Sequence, residues 1–197
     1  MIELKSISSE KPYMRFKALF EKAINAGQNS IEAACISSLS EANEINSRFV
    51  NVKSITGTDF IFFSNYRSPK ALEFKNHNQI SVVFFWNKIK LQIRLKAVIE
   101  KTDKRFNNEY FINRDKRKNA LAISSDQSKK INSYQEVEKN FLRSMQDDDL
   151  TQCPDYWGGF TFRPYYFEFW EGHESRLNKR DVYQTKDNSW EHIIIQP

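Results

Sequence analysis

The order of apolar and polar residues along the chain predicts a strand-rich fold. Segment 91–97 alternates between apolar and polar residues, which is typical of a half-exposed strand. Segment 80–86 is almost entirely apolar, which predicts a strand buried on both faces. Aromatic or apolar runs predict further strands at 31–38, 48–55, 60–64, 160–170, 182–184 and 191–195. Pro164 interrupts the long aromatic run, so we expect an edge or a bulge there.

Helical spacing appears in the segments between these strands. Residues 12–26 place apolar side chains on one side, with Pro12 in the first turn and Gly27 after the last. Further helices are predicted at 68–77, 102–113 and 133–145, the last with Ser133 and Glu136 spaced as in a capping box. Because the strands look antiparallel and mostly sequential, we expect a closed barrel with peripheral helices.

Composition narrows the classes of partner. The 197 residues carry a net charge of +5, which favours an anionic partner such as nucleic acid, a membrane surface or a phosphorylated small molecule, or else indicates only a basic solvated surface. No apolar stretch approaches the roughly 20 residues of a membrane span, so we expect a soluble, cytoplasmic protein with no membrane partner. The two cysteines and three histidines lack ligand spacing, so no metal site is expected. Nucleic-acid binding would rest on charge alone and is not expected.

Phosphate-type donors lie at predicted strand ends and at one predicted helix start. They are Arg48, Lys53, Ser64, Ser68 and Lys70. Each one alone is more often a surface residue. In an ideal strand Arg48 and Lys53 point to opposite faces, so they serve one site only if the strand bulges or if two chains form the site.

Two further groups combine aromatic and cationic residues. Tyr110 and Arg114 are four residues apart on a predicted helix and would share a face, although this face is also consistent with simple solvation. Trp170, Arg176 and Arg180 follow the aromatic strand. A Trp packs beside planar rings and an Arg stacks on them or donates to an anionic edge, whereas the alternative is a core strand followed by a charged turn.

Taken in order, these motifs resemble the pyridoxine/pyridoxamine 5′-phosphate oxidase family, over about residues 12–197. The most specific stretches are Arg48-Phe-Val-Asn-Val-Lys53, Phe63-Ser64-Asn65 with Ser68-Pro69-Lys70-Ala71, Tyr110-Phe111 with Arg114, Gln127-Ser128, Trp157-Gly158-Gly159-Phe160, and Glu168-Phe169-Trp170 with Arg176-Leu177 and Arg180. The resemblance implies a mainly β (α+β) fold, the antiparallel FMN-binding split β-barrel with peripheral helices. It implies one domain over 1–197, in which about 155–197 form a dimerisation and flavin-contact segment.

The resemblance also implies a homodimer with flavin mononucleotide (FMN) at its interface. Matching positions assign the FMN phosphate and ribityl chain to Arg48, Ser64, Lys70, Gln127 and Ser128, and the flavin ring to Gln92, Trp170 and Arg180, with Phe63 beside it in place of the usual Tyr. The substrate phosphate is assigned to Lys53, Tyr110, Arg114 and Lys118, and the catalytic positions to Arg176, over the substrate ring, and Asn178.

The implied reaction is oxidation of pyridoxamine or pyridoxine 5′-phosphate, with hydride transfer from the 4′ carbon to flavin N5 and O2 as acceptor, giving pyridoxal 5′-phosphate and hydrogen peroxide. Asn178 stands where the family usually has His, Pro69 where it has Arg, and Lys118 where it has Ser. The N-terminal segment that helps to cover the substrate is expected to be short or missing. A flavin oxidase of phenazine-biosynthesis type or with another substrate, and a non-catalytic FMN-binding protein, are the alternatives.

Overall fold

The computed structural model describes residues 1–187 and 189–197, which form a curled sheet surrounded by helices. The strands are β1 (Glu3–Lys5), β2 (Ala33–Leu39), β3 (Ile45–Asn51), β4 (Ser54–Thr56), β5 (Asp59–Asn65), β6 (Gln79–Trp86), β7 (Leu91–Lys101), β8 (Trp157–Glu171), β9 (Lys179–Lys186) and β10 (Ser189–Ile194). The helices are α1 (Lys11–Asn25), α2 (Pro69–Asn76), α3 (Lys104–Ile112), α4 (Lys116–Ser124) and α5 (Tyr134–Asp147), with a 3-10 turn at Asn87–Ile89.

The sheet runs in the order β1-β4-β5-β8-β7-β6-β2-β3, and β9 and β10 extend it from β8. Its pairs are antiparallel except for the parallel pair β1–β4. The predicted mainly β, antiparallel architecture with peripheral helices is therefore confirmed. The expectation of mostly sequential neighbours is only partly right, because β5 pairs with β8 and β2 with β6.

Helix α1 packs into the concave side of the sheet and forms the core. Phe16 is fully buried, and its ring meets the edges of Phe60, Phe84 and Trp86 at centroid distances of 5.3, 5.6 and 5.4 Å. Such edge-to-face arrangements are favourable for aromatic rings. Aromatic side chains thus form the packing between α1 and the sheet at this point.

Two predicted strands differ from those observed. Segment 48–55 is not one strand: β3 ends at Asn51, and the amide of Lys53 then donates to the carbonyl of Ile61 in β5, 2.7 Å away. Because Arg48 and Lys53 are not in one continuous strand, the alternation of side chains along an ideal strand does not place them on opposite faces. Strand β6 is buried on one face only, and Phe85 on its other face is 60% exposed, because no second layer covers that face in the single chain.

Local signals were more accurate elsewhere. Helix α1 ends before Gly27, which has a φ of +70°, and the Ser133 side chain accepts a hydrogen bond from the amide of Glu136, as predicted. The register of β8 against β7 shifts beside Pro164, which is the predicted bulge. Helix α4 was not predicted, because its nine residues have little apolar periodicity. In the described part of the chain, no helix is both long enough and apolar enough to cross a membrane.

Candidate functional site

Apart from Ser128, the predicted site residues lie in two clusters at opposite ends of β8. Phe63 is paired with Gly159 near the start of β8, whereas Gln92 is paired with Trp170 near its end. Eleven residues separate Gly159 from Trp170, which corresponds to roughly 35 Å of strand. We call the first group the cationic cluster (Arg48, Lys53, Phe63, Ser64, Lys70, Tyr110, Arg114, Lys118 and Gln127) and the second the tryptophan cluster (Gln92, Trp170, Arg176, Asn178 and Arg180).

Lys70 is a half-buried cation at the start of α2. Its ammonium donates to the hydroxyls of Ser64 and Ser68, at 3.3 and 3.2 Å. No carboxylate of the described residues forms an ion pair with it within 4 Å. Burial and the nearby charge of Arg48 lower the pKa of Lys70. A desolvated ammonium beside two hydroxyls at the start of a helix is suited to an anionic ligand.

Arg48 forms an ion pair with a buried carboxylate. Its NH2 nitrogen lies 2.8 Å from Oε2 of Glu73, which is almost fully buried, and its NH1 donates to Ser38. Burial alone would raise the pKa of Glu73, but hydrogen bonds from Ser38 and Arg48 outweigh it, so the pKa is lowered. Sequence reasoning missed Glu73, although it lies three residues from Lys70 on the same helix.

Gln127 connects the loop after α4 to the end of β5. Its Oε1 accepts hydrogen bonds from the Ser64 hydroxyl and the Asn65 amide, at 3.4 and 3.3 Å. The neighbouring Ser128 is exposed and has a φ of +70°. A cavity of about 320 Å³ opens beside this loop, with Phe63, Arg114, Lys118, Gln127 and Trp157 among its lining residues.

Three cations border this part of the molecule. Burial lowers the pKa of Lys53, and the nearby charges of Lys118 and Arg114 lower it further, whereas Glu32 acts in the opposite direction. Burial also lowers the pKa of Arg114. Within the described ranges, none of the three cations has an ion pair with a carboxylate. The arrangement therefore concentrates positive charge without a direct ion pair to a carboxylate.

Phe63 and Trp157 form the aromatic wall of the cavity, and Tyr110 from a third element packs against Phe63. The ring of Phe63 stacks on Tyr110 at a centroid distance of 3.7 Å and on Trp157 at 5.1 Å. Arg114 lies over the Trp157 ring, with its Cζ 4.8 Å from the centroid. Helix α3 ends at Ile112, so Arg114 lies just beyond it, and yet it borders the same wall as Tyr110. Trp157 was not predicted as a site residue.

The two glycines after Trp157 allow α3 to pack closely on β8. The Asn107 Oδ1 accepts from the Gly159 amide at 2.7 Å, and its Nδ2 donates to the Tyr66 hydroxyl at 3.0 Å. That hydroxyl in turn donates to the carbonyl of Gly159, also at 3.0 Å. A Cβ at Gly158 would lie 2.2 Å from the Tyr66 hydroxyl, so a side chain does not fit there. Because Asn107 and Tyr110 both lie on α3, this network also positions the Tyr110 ring against Phe63.

The tryptophan cluster is built on neighbouring strands. Gln92, Trp170 and Arg180 are cross-strand partners on β7, β8 and β9, and Phe85 continues this row on β6. The Nε and NH2 of Arg180 both donate to Oε1 of Glu168 at 2.8 Å, while its NH1 donates to the carbonyl of Gln196 at 3.1 Å. Glu168 is 1% exposed. This two-point contact fixes the plane of the Arg180 guanidinium.

Arg176 and Asn178 lie in the loop between β8 and β9. Arg176 is exposed and has a φ of +60°, and its amide donates to the carbonyl of His173 at 3.0 Å. The Oδ1 of Asn178 accepts from the amide of His173, also at 3.0 Å. Asn178 therefore closes the loop that carries Arg176. A cavity of about 600 Å³ lies beside this loop, with Phe85 and Trp170 in its wall.

Two family models match this sequence. The model described as pyridoxamine 5′-phosphate oxidase matches residues 20–144. The model described as pyridoxine 5′-phosphate oxidase C-terminal dimerisation region matches residues 157–197. Together the matches include both clusters.

Curated relatives and solved structures agree with these matches. The chain is 31% identical over 191 residues to pyridoxine/pyridoxamine 5′-phosphate oxidase 1 of Hydrogenovibrio crunogenus, covering 94% of this chain and 88% of that one. It is 29% identical over 199 residues to the Leptospira interrogans oxidase, covering 100% and 92%.

PhzG from Burkholderia lata, solved with tetrahydrophenazine-1-carboxylic acid, has a TM-score of 0.90 at 21% identity, covering 95% and 93%. A pyridoxamine 5′-phosphate oxidase-related, FMN-binding protein from Nostoc punctiforme has a TM-score of 0.79 at 12% identity, covering 96% and 99%. At these identities the two structures support the fold alone.

Proposed function

Because the chain belongs to the pyridoxine/pyridoxamine 5′-phosphate oxidase family, we propose that it oxidises pyridoxamine or pyridoxine 5′-phosphate. The family consists of FMN-binding oxidoreductases, and FMN is the cofactor. The observation that carries the proposal for the substrate is the group of Lys53, Arg114 and Lys118, which form no ion pair with a carboxylate among the described residues. Arg114 and Lys118 line one cavity together with Phe63 and Trp157, and their charges lower the pKa of the nearby Lys53.

The residues present fit FMN. Lys70 and Ser64 offer donors for its phosphate beside the start of α2, and Arg48 lies close enough to lower the pKa of Lys70. Gln127 and Ser128 would hold the ribityl region. Trp170 offers a flat apolar surface to the flavin ring, while Gln92 and Arg180 offer donors in the same cross-strand row.

One FMN cannot contact both clusters of the same chain, because roughly 35 Å of strand separates them. Two chains bring the cationic cluster of one beside the tryptophan cluster of the other, so the proposed active form is a homodimer. The match of 157–197 to a dimerisation region supports this assembly. Phe49 and Phe85, which are 75% and 60% exposed, lie on the uncovered face of the sheet and would be covered by the partner.

In the proposed complex, Lys53, Tyr110, Arg114 and Lys118 hold the substrate phosphate. A phosphate dianion compensates cations that the protein leaves unpaired, which favours a phosphorylated substrate over the unphosphorylated substrate of a phenazine-type oxidase. Phe63 and Trp157 line the side of the cavity and exclude water from it. Arg176 would lie over the substrate ring, and Asn178 would keep the loop closed around it.

When bound, FMN would supply the redox chemistry, namely uptake of the hydride from the substrate 4′ carbon and transfer of the two electrons to O2, which would give hydrogen peroxide. The products are pyridoxal 5′-phosphate and, from pyridoxamine 5′-phosphate and water, ammonia. The chain's own contribution is orientation. The two groups of cations anchor two phosphates, and Arg176 directs the 4′ carbon toward the ring.

Anaerobic mixing of the FMN-loaded protein with pyridoxamine 5′-phosphate, and separately with pyridoxine 5′-phosphate, tests the proposal. We expect loss of the flavin's visible absorbance and, in air, formation of peroxide and pyridoxal 5′-phosphate. Unphosphorylated pyridoxamine is the control and should react far more weakly at equal concentration. If FMN binds but neither vitamin B6 phosphate bleaches it, the B6 oxidase proposal is wrong, and another substrate or a non-catalytic role replaces it.

A further inference from the structure

Glu73 is a buried acid within a cluster that otherwise collects positive charge. Its carboxylate is 8% exposed and accepts from Arg48 at 2.8 Å, from Asn46 at 3.0 Å and from the Ser38 hydroxyl. A buried carboxylate beside a phosphate site would repel the ligand unless it had another effect. The function proposed above does not use this residue.

The geometry around Arg48 shows what the carboxylate does. A guanidinium has five N–H donors in a fixed plane. Within the described chain, the Arg48 side chain donates from NH1 to Ser38 and from NH2 to Glu73. Because Ser38 is 4% exposed and Glu73 is 7% exposed, both contacts are on the protein side. The remaining donors are free for a ligand, and the plane in which they lie is set by these two contacts.

We propose that Glu73 is a positioning residue that orients Arg48 toward the FMN phosphate, and that this contact contributes to the preference for FMN over riboflavin. The inference rests on the proposed assignment of Arg48 and Lys70 to the cofactor phosphate. Ser38 and Asn46 complete the hydrogen bonding of the carboxylate, so its charge is tolerated in this buried position.

The charges in the cluster agree with this role. Arg48 and Lys70 repel each other, since the charge of Arg48 lowers the pKa of Lys70 and that of Glu73 raises it. Glu73 thus keeps two cations together before the ligand arrives. With Glu73 ionised, the three side chains still sum to one positive charge, and a phosphate monoester carries roughly −1.5 to −2 near pH 7.

Titration of the flavin-free protein with FMN and with riboflavin, followed by quenching of flavin fluorescence, tests the inference. We expect Glu73→Ala to weaken FMN binding about tenfold, the scale of one lost charge-assisted hydrogen bond, and to leave riboflavin binding unchanged. Glu73→Gln keeps an acceptor for Arg48 and should recover most of the loss. An equal loss for both flavins in the Gln variant, or no loss for FMN in the Ala variant, would overturn the proposal.

A second pair of variants asks whether Glu73 acts through Arg48. Arg48→Ala leaves the carboxylate unpaired beside the phosphate, so FMN should bind more weakly to it than to the Glu73→Ala/Arg48→Ala double variant. Independent, additive losses would contradict the inference. If the Ala variants do not fold, as judged by circular dichroism, Glu73→Met replaces them, because it fills a similar volume without an oxygen acceptor for Arg48. It should weaken FMN binding and leave riboflavin binding unchanged, and an unchanged FMN-to-riboflavin ratio would overturn the proposal.

The wild-type titration separates this inference from the proposed function. Failure of the wild type to bind FMN would refute the cofactor assignment itself. Equal wild-type affinity for FMN and riboflavin would refute the phosphate site and with it the role of Glu73. A wild type that prefers FMN, together with Glu73 variants that keep the full preference, would refute only the role of Glu73.

Discussion

Gly158→Ala tests whether close packing of α3 on β8 shapes the proposed substrate cavity. The new Cβ would lie 2.2 Å from the Tyr66 hydroxyl oxygen, 2.6 Å from Tyr66 Cζ and 2.5 Å from Asn107 Nδ2. All three contacts are far inside van der Waals distance, and the atoms belong to a hydrogen-bonded network that includes the backbone of Gly159. The variant must therefore displace α3 or break this network.

The size of the effect follows from these two routes. An extra methyl group in a packed region costs about 1–3 kcal/mol, and each broken internal hydrogen bond costs about 1 kcal/mol. If the structure around the new methyl group shifts to relieve the clash, it loses hydrogen bonds of this network instead. We therefore expect a loss of about 2–4 kcal/mol in the free energy of unfolding. For a domain of this size the midpoint of thermal unfolding should fall by roughly 5–15 °C.

Denaturant unfolding and steady-state kinetics measure both consequences. Displacement of α3 moves Tyr110 away from Phe63, on which it stacks at 3.7 Å, so KM for the phosphorylated substrate should also rise. Gly57→Ala is the control: it adds the same methyl group with nothing within 4 Å, and its φ of +58° costs only about 1–2 kcal/mol. A Gly158→Ala protein within about 0.5 kcal/mol of the wild type would refute the packing argument.

Three further predictions concern single side chains. Lys118→Met should raise KM for pyridoxamine 5′-phosphate roughly tenfold with little change in kcat, whereas the exposed Arg117→Met on the same helix should leave KM unchanged; equal effects would remove Lys118 from the site. Asn178→Ala should lower kcat about tenfold or more while FMN stays bound, and Asn178→Asp, which keeps the acceptor, should lose less; loss of FMN would contradict a role in the loop. Burial alone would raise the pKa of Asp181, but a hydrogen bond from Arg15 outweighs it, so the pKa in the folded protein is lowered. The ionised Asp181 therefore stabilises the fold above about pH 4, and this stability is lost as the pH falls through the pKa of the folded protein. Between about pH 5 and pH 3, the free energy of unfolding measured with denaturant should therefore fall less for Asp181→Asn than for the wild type. An equal fall would contradict the stabilising role of the ionised Asp181.

Local sequence signals were sufficient for elements whose formation depends on near neighbours. The apolar spacing and Gly27 define α1, the Ser133 cap defines the start of α5, and strict alternation defines β7. The bulge near Pro164 follows from the missing amide of proline. Helix α4 was missed because it is short and polar, and its start depends on a side-chain cap at Asp115.

Longer-range features could not be read from such signals. Apolar run length alone suggested that β6 is buried on both faces, because the pattern does not show whether a second layer, or a second chain, covers the outer side. The break between β3 and β4 occurs because the backbone amide of Lys53 donates a hydrogen bond to Ile61 of β5 rather than to β2. Pairing of β5 with β8 brings Trp157 beside Phe63 across more than ninety residues of chain, which no local pattern encodes.

By itself, the sequence determined the family, the cofactor and the identity of the candidate side chains, because an ordered series of short motifs survives sequence divergence in recognisable form. Only the tertiary structure decided how those side chains are grouped. It placed the cationic and tryptophan clusters at opposite ends of β8 and brought Glu73 into an ion pair with Arg48. These relations depend on strand pairing and on side-chain packing between distant segments, which are properties of the folded chain and not of any one segment.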